Sequence, residues 1–296
     1  MILFLNERSR ATKDAGHGES GNVSTGPAVA QAPVSTPMFE RSLRRFMPPT
    51  IAIIVLLAAW EAAVRLGHIS ERTLPSPSRI VAAMVDTWPD LMAATAVTAA
   101  ETAAGFTAAV ASGIVIGVAL YRSRILHRAL YPLLVAAQTI PLIAIAPLFM
   151  LWFGFSPIGK VVLVAVLGLF PVAVQTSRGL MAVPQFYEDV ALTCGATRTW
   201  TLWHVKMRVA ARQIFGGIRI CAAYVFGTAV TAEYLGATNG LGIWLQGAFN
   251  SFRTPLIFAA ALVIIIGTGL LFLLISTVEY ALLGERDADS TSYDGC

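Results

Sequence analysis

The chain has 296 residues, of which 56% are hydrophobic and only 13% charged, against about 45–50% apolar and about 25% charged in ordinary soluble proteins. With a mean hydropathy of +0.69 and apolar blocks long enough to cross a bilayer, one helical membrane domain is the economical reading, in place of two soluble domains. The net charge of +4 then reflects anionic lipid headgroups, and no nucleic-acid partner is expected.

Residues 1–40 read as a disordered cytoplasmic tail. MILFL is only five apolar residues, shorter than the roughly 7–15 of a secretory h-region, and a Gly, Ser, Thr, Pro and Ala-rich stretch without periodicity follows it. GHGESG (Gly16, Gly18, Gly21) fits GxGxxG, but no strand precedes it and no βαβ unit follows, so chance explains it better than a dinucleotide site.

Six spans follow, roughly over residues 48–66, 94–121, 129–153, 158–182, 211–236 and 255–282. Each is near the ~20 residues that a tilted helix needs. Residues 41–284 are therefore expected to form an all-α integral membrane domain of six transmembrane helices, with a cytoplasmic tail over 285–296. In the first span Glu61 and Arg65 stand at i,i+4 and suit the interface. In the second, Gly105, Ala109, Gly113 and Gly117 recur every four residues and make one smooth face for close helix packing. The third carries Pro132, Pro141 and Pro147; the carbonyls these free belong either to a pathway wall or to plain kinks. GFSPIGKV (Gly154 to Val161) misses a P-loop because Val161 replaces the magnesium-binding hydroxyl, and it reads as a short outer turn.

A carboxylate at mid-membrane costs at least about 2.5–3.5 kcal/mol, so Glu101 and Glu233 should face the bundle interior or an interface. For Glu233 the choices are a gate or interhelical hydrogen bond, or a side chain snorkelling at the span end. Gln138 and Thr139, just before the Pro-rich part of the third span, are candidates to line a pathway. GLGIWLQGAF (Gly240 to Phe249) is expected to return partway into the outer leaflet as a gate. The four histidines are scattered among tails and loops, and the three cysteines (Cys194, Cys221, Cys296) form no CxxC pair. No metal site, disulfide framework or catalytic constellation is read from them.

Basic residues set the orientation. Sixteen fall on one side (six in the N-terminal tail, three in YRSRILHR, six from Arg178 to Arg219, and Arg286) and five on the other (Arg65, Arg72, Arg79, Lys160 and Arg253). The positive-inside rule puts both termini in the cytoplasm, together with the polar stretch EDVALTCGATRTWTLWHVKMRVAARQ from Glu188 to Gln213. Such an amphipathic segment, held between two spans and containing a glycine turn, suits the display of a short helix to a cytosolic protein.

In that stretch Asp189-Val190-Ala191, three residues, then Gly195-Ala196-Thr197, with Val205 and Met207 beyond, resemble the EAA motif of ABC importer permeases. LPSPSRI (Leu74 to Ile80), IPLIAIAPLFMLWFGFSPIGK (Ile140 to Lys160), GGIRI (Gly216 to Ile220) and AEYLGATNGLGIWL (Ala232 to Leu245) look like the nitrate/sulfonate/taurine branch. The resemblance runs from Leu74 to Tyr280. It implies the type I importer permease fold, with a coupling helix near 188–203 that docks on an ABC ATPase through Glu188, Asp189, Ala191, Gly195, Ala196 and Thr197. It further implies a homodimer with two ATPase subunits and an external solute-binding protein, in a bacterial inner (plasma) membrane. This chain would bind no cofactor and perform no covalent chemistry; ATP and Mg belong to the partner ATPase. The sequence departs from the family at Asp189 and Val190. It departs again at Arg208 and Arg212, which stand where prolines commonly kink the start of the fifth span. An ion-coupled secondary transporter is the alternative, and an intramembrane enzyme a remote third.

Substrate signals are sparse. Gln138-Thr139 stands where sulfonate permeases more often read Arg-Pro, and Glu101 where they often carry Arg. With GATNGLG and SFRTPLIFAA, both features look closer to permeases for the pyrimidine precursor of thiamine or related heterocycles. Sulfonate, taurine and nitrate stay open beside it.

Overall fold

The computed structural model describes residues 38–154 and 156–284; the expected tail over 1–37 and the one over 285–296 lie outside them. The chain divides into two compact units, residues 1–52 and 53–296. Helix α1 (Met38–Leu66) straddles that boundary. After it come α2 (Pro77–Asp86), α3 (Trp88–Arg122), α4 (Arg124–Ala137), α5 (Leu142–Phe153) and α6 (Pro157–Met181). Two short helices, α7 (Gln185–Thr193) and α8 (Arg198–Thr201), and a π-helical turn (Leu202–Lys206) lead into α9 (Met207–Gly236), α10 (Leu241–Asn250) and α11 (Thr254–Leu283).

Among the described residues, four rods are long and apolar enough to cross a membrane: α3, α6, the continuous run Arg198–Gly236, and α11. A fifth crossing is available only if α4 and α5 are taken together, and these are bent by 105°. The expected span over 129–153, read as interrupted by its prolines, is here two helices rather than one kinked rod. Only one of its three prolines makes the break. Pro132 and Pro147 lie inside α4 and α5, whereas Pro141 caps the start of α5 with φ −63° and ψ 125°. Lacking an N–H and pushing its predecessor out of the helical region, Pro141 stops α4 and lets α5 leave in a new direction. The first expected span, 48–66, falls within α1.

The bundle is organised by α3 against α6. Gly105, Ala109, Gly113 and Gly117 are all buried and meet an α6 row of the same four-residue period: Val164, Gly168, Val172 and Thr176. A Cβ at Gly105 would lie 2.7 Å from Val164 Cβ, and one at Gly113 2.7 Å from Val172 Cβ. The fit is reciprocal, since a Cβ at Gly168 would lie 2.7 Å from that of Ala109. A small-residue ridge on α3, set against a β-branched row of α6 that is itself relieved at Gly168, thus lets the backbones approach as closely as van der Waals contact allows. The adjacent face of α6 repeats the device against α9, where Gly179 meets Gln213 and Gly217 meets Gln175; the two glutamine side chains hydrogen-bond at 2.6 Å. Val172, Cys221, Ala222 and Val225 lie in the resulting core.

No proline interrupts the start of the fifth expected span. Backbone angles stay helical through the π-turn, so α8, the turn and α9 form one rod, with Arg208 and Arg212 exposed on it.

Gly113→Val is expected to destabilise the protein in detergent by roughly 1–3 kcal/mol or more, because the new side chain meets Val172 and the Leu169 carbonyl. Gly269→Ala, on an α11 face with nothing within 4 Å, should be neutral or gain about 0.5–1 kcal/mol. Thermal unfolding of the two purified variants checks both signs.

Candidate functional site

The segment linking α6 to the Arg198–Gly236 rod begins at Pro184, whose φ of −57° is preset for a helix start. Helix α7 ends in a hydrogen-bonded reversal. Ala196 N–H donates to Ala191 O at 3.0 Å and Gly195 N–H to Leu192 O at 3.0 Å, the paired bonds of a Schellman ending. That ending needs a left-handed residue, and Gly195 has φ +87°. Thr197 then starts α8, its Oγ1 accepting from Trp200 N–H at 3.3 Å. Residues 188–203 are thus a helix, a tight turn and a second helix.

Phe186, Tyr187, Val190 and Trp200 are large, exposed side chains on this hairpin. With Ala191, Cys194, Gly195, Ala196, Thr197 and Val205 they line an open concavity of about 840 Å³. Of the two acids, Asp189 is exposed and forms no ion pair among the described residues. Glu188 instead turns inward and pairs with Lys206.

The mid-bundle acids occupy one buried polar layer. Glu101 Oε1 pairs with Lys160 Nζ at 2.5 Å, both side chains almost fully enclosed. Lys160 therefore belongs to the first turns of α6 and not to an outer loop, which corrects its place among the outer basic residues. Glu233 is fully buried in α9. It accepts from Thr98 Oγ1 at 2.8 Å and from Gly242 N–H at 2.7 Å, while Thr98 Oγ1 accepts from Leu241 N–H at 2.8 Å. A carboxylate and a hydroxyl thus cap the N-terminus of α10, where free N–H groups favour negative charge. The glycines around it are dictated by space: a Cβ on Gly240 would overlap the Glu233 carboxylate, and one on Gly242 the Val230 carbonyl. Glu101 and Glu233 are thus held in side-chain bonds rather than lining an open cavity.

A separate cavity of about 650 Å³ lies where α4 and α5 bend against α6 and α9. Gln138, Tyr224, Thr228 and Thr231 supply its polar groups, with Leu142, Leu167 and Phe170 among the apolar ones, and no charged side chain among the described residues lines it. Gln138 reaches this cavity; Thr139 does not line it, and its hydroxyl donates to Ala136 O at 2.7 Å. Sequence reasoning missed Lys160, Thr98, Lys206 and the cavity-lining Tyr224, Thr228 and Thr231. The threonines carried little signal because a hydroxyl in a span can satisfy itself on its own helix, as Thr228 and Thr231 do on Tyr224 O and Gly227 O.

Residues 109–283 match the family described as binding-protein-dependent transport system inner membrane component. The formylaminopyrimidine transport permease protein ThiX of Halalkalibacterium halodurans is 33% identical over 241 residues, covering 81% of this chain and 96% of that protein. The riboflavin transport system permease protein RibX of Chloroflexus aurantiacus is 32% identical over 252 residues, covering 82% and 93%. The taurine transport system permease protein TauC of Escherichia coli is 30% identical over 221 residues, covering 72% and 80%. Among solved structures, an inward-facing MetNI methionine ABC transporter contains a chain that superposes with a TM-score of 0.59 at 19% identity, covering 68% of this chain and 99% of that one. That likeness speaks for the type I importer permease fold alone. With family, relatives and fold in agreement, the chain belongs to the binding-protein-dependent transport system inner membrane components, and is the permease subunit of an ABC importer, a transport-pathway subunit and not an enzyme.

Proposed function

We propose that this permease works as a homodimer with two ABC ATPase subunits and an external solute-binding protein, in a bacterial inner membrane with both termini cytoplasmic and six spans, the first being 48–66 of α1. ATP and Mg act in the ATPase. The observation that carries this is the α7–α8 hairpin, a projecting apolar surface of Phe186, Tyr187, Val190 and Trp200 set between two membrane-crossing rods. Such a patch suits a protein groove. Asp189, Ala191, Gly195, Ala196 and Thr197 shape the docking face, and Glu188 supports it from behind. Closure of the ATPase dimer displaces the two hairpins and switches the shared pathway from inward to outward facing.

The cavity beside the α4–α5 bend is the stretch of pathway that this subunit contributes. Its amide, hydroxyls and aromatic rings, without a fixed charge, suit a neutral or weakly basic heterocycle. An anion would meet no cation there, and desolvating it uncompensated is costly. Formylaminopyrimidine and riboflavin, named for two of the relatives, are heterocycles of this kind, whereas taurine carries a sulfonate. Glu101 with Lys160, and Glu233 with α10, form a closed gate layer on the outer side. Setting aside the two buried, ion-paired lysines, Lys160 and Lys206, leaves four basic residues outside against fifteen inside, so the bias that supports this orientation persists.

Single cysteines introduced at Arg124 and Thr199 in a cysteine-free background should be shielded from an impermeant thiol reagent in intact cells, with one at Asn239 labelled. Labelling at 199 and none at 239 would refute the orientation. Gly195→Val puts a β-branched residue at φ +87°, which costs about 1–2 kcal/mol locally and deforms the Schellman ending. The variant should insert normally yet lose uptake and binding-protein-stimulated ATP hydrolysis; retention of both would remove the hairpin from the coupling role. In vesicles containing the whole importer, labelled aminopyrimidine should accumulate with ATP and labelled taurine should not, and the reverse result would overturn the substrate assignment.

A further inference from the structure

Among the described residues, α7 has one polar side-chain link to the rest of the molecule. The Glu188 carboxylate pairs with the Lys206 ammonium, and the same ammonium donates to the hydroxyl of Tyr121, at the C-terminal end of α3. It also lies 5.1 Å from the centre of the Tyr121 ring, within cation–π range. The Lys206 side chain is only 8% exposed, against 30% for Glu188. A lysine enclosed this way, with acid, phenol and ring face about its head, is fixed in position, unlike a cation that snorkels to headgroups. Its place in the chain is unusual as well. Lys206 is the last residue of the π-turn, an insertion that costs helix regularity and is frequent at functional sites.

The apolar packing of α7 is otherwise local. Its main neighbours are α8 and the π-turn, both in its own hairpin. The strongest contact of α3, by contrast, is with α6, and α3 also carries Thr98 and Glu101, which hold Glu233 and Lys160. From Tyr121 back to Thr98 is about 35 Å along the helix axis at 1.5 Å per residue. One rigid rod therefore touches the hairpin's polar link at one end and the cap of α10 near the other.

We propose that Lys206 is a positioning residue of the transport cycle, its ammonium joining Glu188 of α7 to Tyr121 of α3 so that displacement of the hairpin moves α3. The proposal rests on α7 being the surface that meets the ATPase. Two-site communication of this sort needs an element that both sites bias, and α3 is that element. Loss of the strut leaves assembly and catalysis in the ATPase intact and weakens their coupling to the pathway, the route along α8 and α9 remaining.

The test uses the complete importer in vesicles, with ATP hydrolysis measured with and without loaded binding protein. Lys206→Met and Tyr121→Phe should both assemble and hydrolyse ATP at the basal rate, while stimulation by the loaded binding protein falls about fivefold or more, the span of an ordinary coupling free energy. Tyr121→Phe removes a single oxygen and serves if Lys206→Met fails to fold. The exchange of Glu188→Lys with Lys206→Glu should restore stimulation, since the pair re-forms and the Tyr121 hydroxyl then donates to the new carboxylate. A purely structural role would lower thermal stability and leave the stimulation ratio unchanged; that outcome, or a failed rescue, overturns the strut. A cysteine at Trp200 separates the two levels. If it cross-links to the ATPase while both variants keep full stimulation, the strut alone is wrong; if it never cross-links, the docking surface is misassigned and the strut falls with it.

Discussion

The close approach of α3 to α6 is the constraint on which the other features depend. Lipid offers no hydrophobic drive for one apolar helix to prefer another, so association rests on packing and on hydrogen bonds. The Gly105–Ala109–Gly113–Gly117 ridge supplies the packing by bringing two backbones together against Val164, Gly168, Val172 and Thr176. Only at that separation can the Glu101 carboxylate reach the Lys160 ammonium across the interface. The same positioning of α3 presents Thr98 to Glu233 and Tyr121 to Lys206. Small residues chosen for shape thus determine where the charged ones can meet.

The buried charges in turn make the arrangement hard to deform gradually. An ion pair in a low-dielectric interior adds little net stability over apolar side chains, but separating it strands two charges, and removal of one partner typically costs about 3–5 kcal/mol. Glu101 with Lys160 and Arg219 with Glu279 tie α3 to α6 and α9 to α11. Each either holds or is exchanged for another set of contacts. That is the behaviour wanted of a pathway with two faces, where intermediate openings would leak, and it favours discrete movement of whole rods over progressive bending.

Much of this was legible in the sequence, for reasons that differ by element. The four apolar rods follow from length and hydropathy, because a bilayer leaves the backbone no alternative to internal hydrogen bonding. The α3 ridge was visible because a four-residue repeat of small side chains on a helix defines one face whatever the partner. The break between α4 and α5 was not assignable: three prolines compete, and only the folded chain shows that Pro132 and Pro147 are carried inside helices while Pro141 ends one. Lys160 was misplaced because a lysine six residues after Gly154 looks like a loop cation until the partner acid, Glu101, is known from a helix fifty-nine positions earlier. Long-range pairings of that kind leave no trace in local pattern. The split between Glu188, turned inward, and Asp189, turned outward, was equally hidden, since adjacent acids on a short helix are equivalent in composition and differ only in direction.

The absence of proline from residues 198–236 bears on how motion is carried. A proline at the foot of α9 would have provided a hinge, letting α7 and α8 swing while α9 stood still. Here the rod from Arg198 to Gly236 is continuous, its π-turn deforming the helix without interrupting it. On the proposed docking role of the hairpin, a load applied to α8 is delivered along α9 to Glu233 at its far end, and Glu233 holds α10. Through Lys206 the same load reaches α3, whose Thr98 holds α10 from the other side. Both routes end on the N–H groups of Leu241 and Gly242. A helix capped jointly by two rods keeps its cap only while those rods move together, so relative displacement of α3 and α9 is the movement that frees α10.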